Sequence, residues 1–254
     1  VRRLITLGCC ALIASVSLAS DHNNLDKERP LRFEDAYSIA YRSFEFQNGL
    51  RLDTFRRGKP VYNFRSEIQY GFSKNKDIAI GFEPSYSSES RKAVGNAVEF
   101  SYFEGFAREI GDKPALGYRV DVGIPVSGGK GVALRARGIL TKTVGQFDKI
   151  HVNVDVLHST EAEPNTRQMS LGAVIGYSRP LGYPRRFDQT LLAEFGVEQS
   201  RQRGGNLNGW VGLGMRRQLS STGVLDFGIQ TDLFRDKLEQ ASPVRLTVGY
   251  SVNF

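Results

Sequence analysis

Cysteine is nearly missing from this chain: the two present, Cys9 and Cys10, both stand within the first ten residues. Everything after them lacks a disulfide, a thiolate nucleophile and a cysteine metal ligand. Histidine is scarce as well. His22, His151 and His158 are too few and too scattered for a metal centre, so neither a metal nor a cofactor is expected. Long apolar runs are confined to Leu4–Leu18, which is shorter than the roughly 20 residues a spanning helix needs. Blocks of like charge are absent too: 34 Lys and Arg are spread among 27 Asp and Glu, for a net charge of +7. Without a basic block, nucleic acid is not expected as a partner; membrane lipid and lipopolysaccharide headgroups suit scattered Lys and Arg better.

What is present begins with Arg2 and Arg3, the apolar run, and polar Asp21-His-Asn-Asn24 after it. This is the layout of a secretory signal, with small residues placing the cut after Ala19 or Ser20. Residues 1–20 are therefore read as a signal peptide that carries both cysteines away. Thr6, three positions before Cys9, stands where a lipoprotein signal needs a larger apolar residue.

The strongest pattern is strict alternation. In Pro243–Phe254, Val244, Leu246, Val248, Tyr250, Val252 and Phe254 alternate with Arg245, Thr247, Gly249, Ser251 and Asn253. Successive strand side chains point to opposite faces, so one face is apolar and the other polar or small. The same rhythm recurs from about residue 43, broken by polar turn clusters, and divides the chain into about twelve strands of 10–13 residues. An all-β transmembrane antiparallel barrel over residues 43–254 follows, apolar toward lipid and polar toward the lumen. An even count puts both chain ends on the periplasmic side, and the last strand closes against Phe44–Leu52. Glu104 breaks the apolar face of the fourth strand, which predicts a bulge or the membrane edge there. Residues 21–42 are read as a periplasmic segment, either a short helix over 31–41, with Glu34 and Asp35 in its first turn, or a plug in the lumen.

The final stretch resembles the closing strand by which outer-membrane proteins are recognised by the barrel assembly machinery, with Tyr250, Val252 and Phe254 as the signal. The hairpin Glu67–Tyr86 and the strand Pro114–Gly128 together resemble the outer-membrane channels of the MetA-pathway-of-phenol-degradation family. That resemblance implies a location in the bacterial outer membrane and a transport role. It supplies no catalytic residue.

Alternation gathers Arg51, Arg65, Glu67, Arg119, Asp121, Arg135, Arg137, His151, Asp155, Glu194, Arg216, Asp226 and Arg245 in the lumen. Such charges either select a small-molecule solute or cross-link a rigid interior. Arg135 and Arg137 are expected to pair with Asp121 and Asp155 on neighbouring strands rather than with a solute. His151 and Asp155 share a face, which fits a lumen hydrogen bond between them. An outer-membrane hydrolase needs a base beside a nucleophile; His158-Ser159-Thr160 lies at a strand end without a serine motif, so no enzyme activity is expected. The expected function is passive diffusion of small polar or organic-acid-like solutes. The alternative is a structural or surface-interaction barrel without an open pore.

Overall fold

The structure, a computed structural model, describes residues 24–55, 58–89, 92–127, 130–185, 187–237, 239 and 242–254. The expected signal peptide, with Cys9 and Cys10, lies outside the described residues, as does His22. Twelve strands follow one another along the chain: β1 (Phe44–Asp53), β2 (Val61–Ser73), β3 (Lys76–Ser87), β4 (Lys92–Ala107), β5 (Ala115–Ser127) and β6 (Ala133–Val144) make up the first half. β7 (Asp148–Ser159), β8 (Met169–Leu181), β9 (Gln189–Gln199), β10 (Leu207–Gln218), β11 (Gly223–Phe234) and β12 (Arg245–Asn253) complete it. Each pairs antiparallel with its sequence neighbours, and β1 closes on β12 from Glu45↔Asn253 to Asp53↔Arg245. The twelve-stranded barrel is as the alternation predicts. Closure matters because a free sheet edge in hydrocarbon would strand unpaired peptide groups at several kcal/mol each.

The end where β1 begins and β12 finishes is the near rim; the opposite end is the far rim. The near-rim turn between β2 and β3 is tight. Asn75, in left-handed backbone with φ 61°, reverses β2 into β3, a conformation asparagine tolerates better than most residues.

The wall is inverted relative to a soluble protein. Leu50, Ile80, Phe100, Val154, Ile175, Phe195, Leu213 and Val248 are exposed on its outside, while Glu67, Asp121, Arg137, His151, Asn153 and Asp226 are buried within. Water-filled surroundings would oppose such an apolar exterior, and lipid would favour it. Aromatic rings collect outside the near rim: Phe44 lies 4.4 Å from Tyr70 and 5.9 Å from Phe254, and Tyr102 lies 6.0 Å from Tyr118. Glu104 sits among them. It accepts hydrogen bonds from the Tyr102 and Tyr118 hydroxyls at 2.8 and 2.9 Å and pairs with Lys76 at 3.0 Å. The β4–β5 register shifts between Gly105 and Ala107, so the irregularity expected at Glu104 falls just beyond it.

Residues 24–42 form no helix, which corrects that expectation for 31–41. A helix needs each N–H to meet the carbonyl four residues back. Here side chains of the wall take those donors: Glu34 N–H donates to Asn153 Oδ1 at 2.8 Å and Ala36 N–H to Thr141 Oγ1 at 3.0 Å. The segment enters at the near rim, where Arg42 N–H donates to the Gly71 carbonyl at 2.6 Å. It rises through the lumen and turns at Glu28, whose φ is 60°. It then doubles back, so that Leu25 N–H meets Asp35 Oδ2 at 3.0 Å.

Candidate functional site

The lumen is shaped for its own N-terminal segment. Several inward wall positions are glycine, and a Cβ at each would strike that segment. At Gly228 it would stand 2.5 Å from the Pro30 carbonyl oxygen, and at Gly214 2.9 Å from Pro30 Cγ. At Gly212 it would stand 2.9 Å from a Leu31 methyl, and at Gly249 3.2 Å from Arg29 Cδ; at Gly176 it would overlap the Phe33 ring. The otherwise polar inner face also carries an apolar island: Val174 of β8, Leu192 of β9 and Trp210 of β10 bury Leu25, Leu31 and Phe33. Sequence reading passed over both features. Their signal was visible as glycines and three large apolar residues on the face that alternation assigns to polar groups.

Charge matches charge along the segment. Asp26 pairs with Arg216 at 3.1 Å, and Lys27 with Glu99 and Asp121 at 2.7 and 2.8 Å. Glu28 pairs with Arg135 at 3.0 Å, Arg29 with Asp226 at 3.4 Å, and Arg32 with Glu198 at 3.1 Å. Glu34 pairs with Arg119 at 2.9 Å and Arg137 at 3.4 Å. Glu194 is the main acceptor for the segment's backbone, taking the Arg32 and Phe33 N–H groups at 2.8 and 3.3 Å together with the Trp210 indole N–H at 2.8 Å. The Arg32 guanidinium lies 4.1 Å above the Trp210 ring, a cation–π contact.

The sequence-derived lumen residues all reach the interior, in separate groups. Arg65 binds Glu67 at 2.6 Å, and Arg216 binds Asp226 at 2.8 Å. Arg245 binds Asp232 at 2.7 Å, while Arg51, at the edge of the set, meets Asp53 at 3.2 Å. Arg135 and Arg137 both donate to Asp155, at 2.9 and 2.7 Å. Asp121 is not their ion-pair partner; Lys27 of the segment takes it instead. The hydrogen bond expected between His151 and Asp155 does not form, because four residues along a strand span about 13 Å. His151 bridges Thr141 and Ser178 instead, at 3.0 and 2.9 Å. Tyr250 and Phe254 are exposed on the outer wall.

Ionisation in the segment follows from these contacts. Burial would raise Asp26, but Arg216 and Arg29 outweigh it and hold the carboxyl below the ordinary range. Burial is likewise overcome at Glu28, where Arg135, Lys27 and Arg65 hold the carboxyl well below that range. Asp35 lacks such a partner: burial pushes it up to about 7, against Lys149 and the N–H groups of Leu25 and Tyr37.

Cavities border the segment at both rims, and a smaller one of about 120 Å³ lies beside Glu28 and Arg29, against Arg51, Arg65 and Glu83. At the far rim, a polar cavity of about 410 Å³ is lined by Glu28, Arg32, Arg135, Asp155, Glu198 and Trp210 among others. At the near rim, about 380 Å³ lies between Ala36–Ser38 and the Asn75 and Arg108–Glu109 turns. Between them the segment and the wall are packed together.

A closed antiparallel barrel of twelve strands, apolar outside and charged within, is an outer-membrane-type barrel. Among solved structures, the chain is similar to the COG4313 outer membrane channel from Pseudomonas putida F1, with a TM-score of 0.65 at 9% identity over 87% of this chain and 98% of that one. It is also similar to the NanC porin, with a TM-score of 0.60 at 9% identity over 82% and 98% of the two chains. For the KdgM porin the values are 0.53 and 10%, over 84% and 99%. At these identities the likeness is one of fold. No family model matches the chain, and no curated protein matches it.

Proposed function

We propose that the protein is a channel of the bacterial outer membrane, through which small polar or organic-acid-like solutes diffuse passively, and that residues 24–42 are its plug. The near rim faces the periplasm and the far rim the cell exterior. The observation that carries this reading is a lumen whose inward glycines are moulded to residues 24–42, with a polar cavity beyond the segment at the far rim and another against it at the near rim. A lumen meant solely as a rigid core would be filled by wall side chains; here glycines keep it open for a piece of chain that enters from one end. The channel and porin barrels of similar fold support the transport role, as does the resemblance to the MetA-pathway family. Aromatic rings at the near rim, including Phe254, fit a membrane interface, and Tyr250, Val252 and Phe254 act as the signal for the assembly machinery.

Reconstitution into planar bilayers tests the proposal. The full chain should be mostly closed, with rare openings, and removal of residues 24–42 should give steady conductance. The dense ion pairing of the lumen favours a second reading, a structural barrel without a pore. A folded deletion variant that stays electrically silent would establish that reading and overturn the channel.

A further inference from the structure

Most charged groups of the segment are sealed between segment and wall. The side chains of Asp26, Lys27, Arg29 and Glu34 are at most 8% exposed. Glu28 differs. Its side chain is 31% exposed, it lines the far-rim cavity, and it sits at the segment's turn. One carboxylate oxygen accepts a hydrogen bond from Arg135 Nη1 at 3.0 Å, and the other faces Arg65 Nη1 at 3.6 Å.

Both arginines are held in place by other groups. Asp155 takes the Nε and Nη2 side of Arg135 at 2.9 and 3.3 Å, which leaves Nη1 for Glu28. Glu67 and Glu99 hold Arg65 Nη2 at 2.6 and 3.2 Å, and its Nη1 lies between Glu83 at 3.2 Å and Glu28. A guanidinium fixed on one edge presents its remaining donors as a pre-oriented carboxylate receptor. We propose that Arg135 and Arg65 form a carboxylate-binding site whose resident occupant is the chain's own Glu28, and that a carboxylate solute entering from the far rim displaces Glu28 and releases the plug.

Charge balance explains the selectivity. Exchanging one carboxylate for another leaves no guanidinium unpaired, whereas a neutral solute in the same place would strand Arg135 Nη1 without a counter-charge. The turn itself favours release. Glu28 holds a left-handed backbone that residues with a Cβ adopt at a cost, and the ion pairs of its carboxylate and of flanking Lys27 and Arg29 together hold it there. This inference rests on the channel reading.

Propionate reproduces the reach of a glutamate side chain, and propionamide is its neutral counterpart. Trp210, the single tryptophan, lies under Arg32 of the plug and reports its departure. Folded protein in detergent is titrated with propionate against chloride at constant ionic strength, with parallel conductance recordings. Propionate should change Trp210 fluorescence saturably and raise the open-to-closed ratio about tenfold or more, the effect of breaking a charged hydrogen bond. Propionamide should do neither. Glu28→Gln should raise the ratio by a similar factor without solute and abolish the propionate response, while Arg135→Gln should lose that response. If a folded Glu28→Gln variant stays as closed and as propionate-sensitive as the parent, the site is overturned. If the deletion of 24–42 conducts but propionate acts no better than chloride, the latch fails and the channel stands. If propionate shifts fluorescence in a Glu28-dependent way while no variant conducts, the carboxylate site stands and the channel reading falls.

Discussion

Filling the glycine slot should open the barrel without weakening it. A Cβ at position 176 would overlap the Phe33 ring, with Cδ1 at 2.6 Å and the ring's root atoms nearer still. The ring cannot swing aside: it is 2% exposed, wedged in the island of Leu31, Val174 and Leu192, and 5.1 Å from the His151 ring. Forcing a methyl into a filled site of this kind costs about 1–3 kcal/mol. That cost falls on the seated plug alone, because alanine suits a strand better than glycine by roughly 0.5–1 kcal/mol. At about 1.4 kcal/mol per factor of ten, Gly176→Ala should raise the open-to-closed ratio roughly 5- to 150-fold. Gly228→Ala, whose Cβ would lie 2.5 Å from the Pro30 carbonyl oxygen, should do the same from another strand. Gly138→Ala is the control, since a Cβ there meets nothing within 4 Å. Planar-bilayer recordings measure the ratio, and the shift in gel migration between boiled and unboiled samples checks that each barrel is folded. If both slot variants are folded and open no more often than Gly138→Ala, the slot is not what seats the segment.

Three further expectations follow from the same contacts. Asp35 is raised by burial to about 7 from an ordinary 3.8, so the seated plug keeps a proton that the released one gives up. Seating is therefore strongest below the ordinary value and weakens up to about pH 7, above which both states are ionised, so conductance should climb between pH 5 and 7 and then level off. Asp26 and Glu28 are held low and stay ionised across that window, and Asp35→Asn should flatten the profile. Glu194→Ala strands the Arg32, Phe33 and Trp210 N–H groups at once. At about 1–3 kcal/mol for each buried donor left unpaired, it should leave the channel largely open in the same recordings. Removal of Phe254 takes away the backbone pair with Phe44, at 3.0 and 3.1 Å, and its ring stack at the seam. The yield of heat-modifiable barrel from membranes should fall, while the conductance of what does fold should not change.

The wall was legible because a barrel in lipid writes its fold into every second residue. From Phe44 to Asn253, outward Leu50, Ile80 or Val248 and inward Arg51, Gly81 or Gly249 follow one rule, and the strand count and closing seam follow from it. The contents of the lumen obey no such period. Lys27 meets Asp121, 94 residues on, and Asp26 meets Arg216, 190 residues on. Nothing local marks Lys27 as the partner of Asp121, and alternation alone points that acid to the wall arginines. The helix expected at 31–41 failed for the same reason: Asn153, Thr141 and Glu194 offer better acceptors for its N–H groups than its own turn would. Glycine had a readable meaning only once a guest was known to lie against it.

How the wall would fare without that guest can be worked out from the ion pairs. Arg137 and Arg135 keep Asp155, Arg216 keeps Asp226, Arg65 keeps Glu67 and Glu99, and Arg245 keeps Asp232 when residues 24–42 leave. Arg119, Asp121 and Glu198 are wall groups whose ion pairs run to the segment. Water entering the vacated lumen solvates those three, and it does so more readily than a sealed interior would permit. Departure of the segment thus leaves a wall that is still braced across its strands, not a barrel full of uncompensated charge. The barrel's stability and the plug's seating are carried by different pairs, which is the arrangement a plug must have if it is to leave and return without unfolding its host.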